Sequence, residues 1–193
     1  MATSFAAHPS TNDSPLSKNI IEFKNSVYES YGRGNEKLVL RSKEGSMDLD
    51  SQVISLIGDV EGIFNLNGKT FKLRTNGLRG NLLDKTISSK QSSLFETEDI
   101  VIVSSDMEIT QTPLAGIKIL FNNVNLDKIN LGSRISKGKA NEVDLFLAKD
   151  LIVMKGNAEF NEDNMKIMSD EIHYDLNQDR VLKSVNSKII NNL

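Results

Sequence analysis

Apolar and polar residues alternate with a period of two along most of the chain beyond Glu36. Between positions 54 and 66 the apolar residues on one parity are Ile54, Leu56, Val60, Phe64 and Leu66. Clusters of Gly, Asn and Asp separate such runs, a pattern typical of antiparallel strands joined by turns. We therefore expect an all-β chain with one apolar face per strand, although an ordinary hydrophobic core accounts for that face as well.

The pattern of residues 19–31 is compatible with either a helix or a strand. Ile20, Phe23 and Val27 would share a helix face, yet the β-branched and aromatic residues here also suit a strand, which we favour. At roughly 10 to 12 residues per strand and turn, the rest of the chain holds about 14 to 16 strands. That number is too large for one flat sheet, so the chain must fold over into a sandwich or roll.

Two parts of the chain resemble each other. An offset of 98 places Gly58 on Gly156, and it also makes identities of the pairs Glu44 and Glu142, Leu49 and Leu147, and Ile54 and Ile152. After the next turn the offset becomes 94, and Phe71, Leu73, Thr75, Leu78, Leu82 and Ile87 fall on Met165, Ile167, Ser169, Ile172, Leu176 and Val181. A shared glycine and a length change confined to a turn indicate an internal repeat. We expect the two glycines to occupy equivalent bends.

Composition restricts the possible functions. The 193 residues include 23 basic and 26 acidic ones, for a formal charge of -3, and no basic run offers a surface for nucleic acid. The absence of cysteine excludes disulfides and thiolate sites. Residues 1–18 show no signal-peptide pattern, and we interpret them as a flexible tail or the remnant of a removed targeting or anchor segment.

Catalytic and metal motifs are weak. His173 is the single histidine outside the tail, and no G-x-S-x-G motif accompanies it. The acidic clusters near Glu96 and Glu162 lack the calcium-loop pattern and read as solvated turns. The run "GRGNEK" at 32–37 precedes a strand pattern where a phosphate loop needs a helix, so we interpret it as a hairpin turn. We expect no catalytic residue, metal or cofactor.

Several segments resemble the OstA-like β-jellyroll family of lipopolysaccharide transport. The stretch 150–181 is similar to the LptA repeat, in which an apolar strand ends in Gly-Asn and an Asp-x-Ile-x-Tyr segment follows; the corresponding residues are Gly156, Asn157, Asp170, Ile172 and Tyr174. The segments "LIGDV", "KLRTNGL" and "SSDMEI" are more similar to LptC. The resemblance implies one jellyroll domain over 19–193, LptC-like over 19–131 and LptA-like over 139–193.

The resemblance implies a twisted, partly open antiparallel β-jellyroll built of repeated strand units. Such a protein is not an enzyme; it shelters the acyl chains of lipopolysaccharide in an apolar groove and bridges the inner to the outer membrane export proteins in the periplasm. On the apolar parity, the expected groove residues are Ile54, Leu56, Val60, Phe64, Phe71, Leu73, Ile119, Phe121, Ile152, Met154, Phe160 and Ile167. A structural β-repeat scaffold or surface protein remains the alternative.

Family members join edge to edge, and the chain ends on the strand-like run "VLKSVNSKIINNL". We expect residues 181–190 to form a terminal edge that docks another jellyroll protein, with Val181, Val185, Ile189 and Ile190 at the contact. We favour an LptC-like member over an LptA-like one. The resemblance then also implies the inner-membrane ABC transporter as a partner and an inner-membrane anchor in a segment outside this chain.

Overall fold

The computed structural model describes residues 3–9, 19–31, 37–66, 68–112, 116–129 and 135–191. These residues form antiparallel strands and one short 3-10 helix, which confirms the all-β prediction. Contacts divide the chain into two compact units, unit 1 over residues 1–97 and unit 2 over residues 98–193. The two units correspond to the two copies of the repeat, since Gly58 belongs to unit 1 and Gly156 to unit 2.

Unit 1 is an antiparallel meander in which each strand from β1 to β5 pairs with the next. The short strands β6 and β7 both pair with β5. The strands are β1 (Thr3–Pro9), β2 (Ile20–Tyr31), β3 (Lys37–Asp48), β4 (Val53–Leu66), β5 (Lys69–Asn81), β6 (Thr86–Ser89) and β7 (Ser93–Glu96). The ambiguous stretch 19–31 is therefore a strand, and part of the expected tail pairs with it as β1.

Unit 2 repeats this arrangement. Its strands are β8 (Ile100–Ser104), β9 (Asp106–Thr112), β10 (Gly116–Ile129), β11 (Ile135–Phe146), β12 (Leu151–Glu162), β13 (Met165–Asp175), β14 (Arg180–Val185) and β15 (Lys188–Asn191), and the 3-10 helix is Leu147–Lys149. The strands β8 and β9 pair with β10, and β10 to β13 form a meander. The short strands β14 and β15 both pair with β13, as β6 and β7 pair with β5.

The strand register confirms the internal repeat. Glu44 pairs with Ile57 in unit 1. Their equivalents at an offset of 98 are Glu142 and Lys155, which pair with each other in unit 2. Likewise, Leu73 pairs with Phe95, and their equivalents at an offset of 94, Ile167 and Ile189, also pair with each other. The two units therefore share their pairing scheme, from the second long strand to the last short one.

A β-bulge interrupts the middle of the third long strand in each unit. The register of β4 on β5 shifts between Ile57 and Val60, and that of β12 on β13 shifts between Lys155 and Ala158. Gly58 has φ +75° and Gly156 has φ +68°, a left-handed conformation that glycine adopts without steric cost. The two glycines thus occupy equivalent bends, as their alignment predicted.

In unit 2 the strands bend so that the two halves of the sheet face each other. In unit 2, Phe160 pairs with Ile167, and Tyr174 stands seven residues further along β13, an extended distance of about 23 Å. The ring centroids of Phe160 and Tyr174 are nevertheless 4.9 Å apart. The sheet must therefore fold over at the bulges, and the apolar faces of its two halves enclose an interior.

Two expectations fall partly on residues outside the described part of the chain. The hairpin turn expected at 32–37 lies there except for Lys37, and so do residues 10–18 of the expected tail. His8 belongs to β1, but its side chain is not among those described.

Candidate functional site

The predicted groove residues all turn to the interior of their own unit. Each is buried, whereas Asp59 and Lys72, on the opposite parity, are exposed. Unit 1 contributes Ile54, Leu56, Val60, Phe64, Phe71 and Leu73, and unit 2 contributes Ile119, Phe121, Ile152, Met154, Phe160 and Ile167. The alternation therefore located the inner face correctly. The side chains of this face fill most of the interior themselves.

An apolar pocket remains inside unit 2. It is small, with a volume of about 10 Å³, roughly the room that one water molecule needs. Its walls are formed by Ile100, Leu126, Ile152, Met154, Phe160, Tyr174 and Leu176, which come from both halves of the folded sheet. Three of these are predicted groove residues.

Tyr174 forms the polar boundary of this pocket. Its ring packs against Phe160, and its hydroxyl donates a hydrogen bond to the Asp179 carboxylate. Burial, followed by the neighbouring Asp179, raises the pKa of Tyr174 well above its usual value. The phenol therefore stays neutral, and the interior of unit 2 presents no charge at this wall.

Polar groups on the inner face are mainly hydroxyls that bond to one another near the bends. The hydroxyls of Ser26 and Ser42 form a hydrogen bond of 2.8 Å, and so do those of Thr75 and Ser89, also at 2.8 Å. The Ser169 hydroxyl donates to the Val185 carbonyl oxygen at 2.5 Å. Among the described residues, the buried Ser104 hydroxyl is an exception without a hydrogen-bond partner. The paired hydroxyls have no free capacity for a hydrophilic ligand.

A buried carboxylate lies on the outer face of unit 2. The Asp144 side chain is 4% exposed and forms ion pairs of 2.6 Å with both Lys118 and Lys155. Lys155 also contacts Glu142 at 3.0 Å, and the hydrogen bond with Asp144 is the main cause that raises the pKa of Lys155. The equivalent of Asp144 in unit 1 is Ser46, so this cluster is specific to unit 2.

The candidate catalytic groups form surface contacts. Nε2 of His173 lies 2.6 Å from Oε1 of Glu171, and this hydrogen bond is the main cause that lowers the pKa of Glu171. Lys183 lies 3.6 Å from the same carboxylate oxygen. Within the described ranges, no three histidine or carboxylate side chains are placed to hold a metal ion.

The terminal edge consists of β14 and β15, which contain the four predicted contact residues. Ile189 lies on the inner parity and is 60% exposed, whereas its equivalent in unit 1, Phe95, is fully buried at 0%. Val181, Val185 and Ile190 are half-buried. The repeat comparison therefore identifies Ile189 as an inward-facing apolar side chain that lacks its usual cover.

Sequence reasoning missed part of the interior. In β5 the buried residues change from odd positions, Phe71 to Thr75, to even ones from Leu78 onward, because the strand bends between them. Phe95 was missed because its strand is only four residues long and shows little alternation. Tyr174 was recognised as part of a motif but not as a wall of the pocket.

The comparisons with known proteins fit this architecture. Residues 39–180 match the family described as "LptA/(LptD N-terminal domain) LPS transport protein". The chain belongs to this family. Its fold is the antiparallel β-jellyroll predicted from the sequence, and it is a non-enzymatic component of lipopolysaccharide transport.

Fourteen chains of solved structures also match. One is LptH from Pseudomonas aeruginosa, described as the LptA homologous periplasmic component of the conserved lipopolysaccharide transport device. It is 10% identical, with a TM-score of 0.47, and the match covers 79% of this chain and 93% of that one. No curated protein matches the chain in sequence. Among the described residues, the structure contains no helix of the length and apolar character needed to cross a membrane.

Proposed function

We propose that this chain carries lipopolysaccharide through the periplasm by sheltering its acyl chains between the two halves of each folded sheet. The observation that carries the proposal is that all twelve predicted groove residues lie on the inner face and are buried. Each methylene group removed from water contributes roughly 0.8 kcal/mol, so acyl chains bind such a face without a polar pocket. No single contact dominates, and a bound chain is therefore able to slide.

Binding requires the halves to separate, because their own side chains occupy most of the interior. The pocket in unit 2 is the natural starting point, since its apolar side chains already leave a small opening between them. Met154 and Phe160 line this gap. Methionine is flexible and accommodates a new apolar neighbour at small cost. The bulge at Gly156 connects the two halves and is where the strand bends as they part.

Photocrosslinking tests the assignment of faces. A photoreactive side chain at Met154 or Phe160 should capture lipopolysaccharide in cells, and one at Asp59 or Lys166, on the opposite parity, should capture much less. Circular dichroism of each purified variant controls for folding. Equal capture at inner and outer positions would show that lipid does not enter the interior.

The member type is part of the proposal. We infer an LptC-like protein because "LIGDV", "KLRTNGL" and "SSDMEI" resemble that type, and its partner in the inner membrane is then the ABC transporter of the export machinery. Co-purification of the tagged chain with the transporter from detergent-solubilised membranes tests this. Recovery with outer-membrane components but not with the transporter would instead favour an LptA-like role.

The terminal edge is proposed to dock another jellyroll protein of the transport bridge. The exposed Ile189 supports this, because a strand added to the edge would cover it as Phe95 is covered in unit 1. Val185 is already engaged within the chain, since its N–H donates to the Ser169 hydroxyl at 3.1 Å. The backbone N–H and C=O groups of successive residues point to opposite edges of a strand, so those of Ser184 point away from β13.

Proline at position 184 is therefore the sharper probe of docking. Ser184→Pro removes an outward donor and should weaken binding of a purified partner jellyroll. Val185→Pro serves as the matched variant, because it breaks the contact with Ser169 and should mainly lower stability. Circular dichroism monitors folding of both. Undiminished partner binding by a folded Ser184→Pro variant would mean that docking uses another edge.

A further inference from the structure

One position beside the pocket of unit 2 carries no side chain. Gly138 is buried and pairs with Leu126 on one side and Phe160 on the other, and both of these partners line the pocket. A Cβ built on Gly138 would stand 2.9 Å from the Cε methyl of Met154 and 3.4 Å from its sulfur. The end of the Met154 side chain therefore occupies the space above Gly138, and we call this space the Gly138 seat.

In unit 1 a leucine stands at the position of the seat. The equivalent of Gly138 is Leu40, which is buried. Leu40 pairs with Gly62, the equivalent of Phe160, so the large and the small residue of this pair exchange places between the units. A Cβ on Gly62 would lie 3.1 Å from Cδ2 of Leu40. The space above Gly138 is therefore a feature of unit 2, and a side chain from another strand covers it.

The partner of Met154 explains why its side chain extends to the seat. Met154 pairs with Val143 in β11. In unit 1 the equivalent pair is Leu56 and Gly45, and Cδ2 of Leu56 lies 3.0 Å from the place of a Cβ on Gly45. Leu56 thus leans over its own partner. Met154 has a β-branched side chain beside it instead, and it reaches across to Gly138.

We infer that the Gly138 seat binds the end of one unbranched hydrocarbon tail, which enters by displacing the end of Met154. The inference rests on the proposed sheltering of acyl chains and adds the shape of tail that unit 2 accepts. The methionine side chain is flexible and unbranched, so the space that it vacates has the width of a polymethylene chain. A ring is wider than this space, and the surrounding side chains are closely packed.

The chemistry of the walls favours a hydrocarbon end over a polar one. Among the side chains that line the pocket, only that of Tyr174 carries a nitrogen or oxygen atom, and its hydroxyl already donates to Asp179. A hydroxyl or charged group brought to the seat would lose its water and meet no polar side chain of the lining in exchange. The polar head of the ligand therefore stays outside the pocket.

Methyl NMR of the full chain tests the seat directly. The chain contains six methionines, and the methyl signal of Met154 is the one that Met154→Leu removes. The probes are n-dodecyl maltoside and cyclohexylhexyl maltoside, each below its micelle concentration. They share the head group and the number of tail carbons, and only the second ends in a ring. Titration gives the dissociation constant of each probe.

The wild type should bind dodecyl maltoside at least about tenfold more tightly than the ring-ended probe, with a shift of the Met154 signal. Each methylene kept in water weakens binding about fourfold, so exclusion of about two accounts for this factor. Gly138→Ala places a methyl group in the seat, and Met154→Ala removes the side chain that matches the tail in width. Both variants should reduce the preference to less than about threefold.

Gly77→Ala is the matched control. Its new Cβ also meets the flexible end of a side chain, Nε2 of Gln91 at 3.0 Å, but it lies in unit 1, away from the pocket. This variant should keep the preference of the wild type. Circular dichroism confirms that all variants are folded.

The outcomes separate the seat from the proposed function. Dodecyl maltoside that binds without shifting the Met154 signal, or that binds Gly138→Ala as tightly as the wild type, overturns the seat and leaves the sheltering of acyl chains intact. Equal affinity of the wild type for both probes also overturns it. If dodecyl maltoside does not bind at all, the seat is wrong, and photocrosslinking decides the rest. Capture of lipopolysaccharide at Leu73 in unit 1 would then uphold the proposed function, and no capture in either unit would refute both.

Discussion

The two bulge glycines, Gly58 and Gly156, can be tested by adding a single methyl group at each, with Gly68, which lies between β4 and β5, as a reference. Gly58, Gly68 and Gly156 all have positive φ, of +75°, +78° and +68° respectively. An alanine forced into this left-handed region costs roughly 1–2 kcal/mol, because its Cβ approaches the following carbonyl oxygen. The three substitutions share this backbone cost, and they differ in what the new methyl group meets.

The surroundings set the order of the three variants. A Cβ at Gly68 meets nothing within 4 Å, and one at Gly58 meets Lys43 at an ordinary 3.5 Å. A Cβ at Gly156 lies 3.0 Å from Nδ2 and 3.2 Å from Cβ of Asn141, so this exposed side chain must move. We expect a loss of about 1 kcal/mol for the first two variants and about 2 kcal/mol for Gly156→Ala, with the excess due to crowding.

Urea unfolding followed by circular dichroism measures these differences. Gly68→Ala is the matched control, since it carries the backbone cost without a new contact. Gly156→Asn should lose less than Gly156→Ala, because asparagine tolerates the left-handed conformation better. If Gly156→Ala is no less stable than Gly68→Ala, the crowding argument is wrong. If all three keep wild-type stability, the bulges do not require glycine.

Two further expectations concern charged groups. Asp144→Asn should lower the free energy of unfolding by about 2 kcal/mol, because a buried carboxylate loses two charge-assisted contacts. Glu142→Gln loses a more exposed contact with Lys155 and should change the free energy of unfolding by less than about 1 kcal/mol. Equal losses in urea unfolding would contradict this ranking. The pKa of Glu159 is held below its ordinary 4.5 chiefly by a hydrogen bond from Lys166. The stabilisation by the Glu159 carboxylate is present above its ordinary pKa and is lost as the pH falls through the lowered pKa. Glu159→Gln should therefore be less stable than wild type near neutral pH and equal to it in strong acid. A stability difference that persists in acid would refute the assignment.

The sequence by itself determined which face of most strands turns inward and that the strand pattern occurs twice. A period of two assigns each residue to a face, so Ile54 and Phe160 could be placed without knowing their neighbours. The offsets of 98 and 94 predicted equivalent bends at Gly58 and Gly156, because a glycine and a turn of changed length are local features. Both the inward face and the repeat could be predicted, because each depends on residues close together in the sequence.

The tertiary structure decided how much of each face is covered. Ile21 and Ile119 occupy equivalent positions, yet one is half exposed and the other buried: β9 pairs with β10 beside Ile119, whereas no strand in the described part of the chain pairs with residues 20–22 on the side of β1. Asp144 is buried by contacts that its own strand does not reveal. Alternation specifies a direction for each side chain, but exposure depends on which strands lie alongside. Those pairings join residues far apart in the chain, and a local pattern carries no information about them.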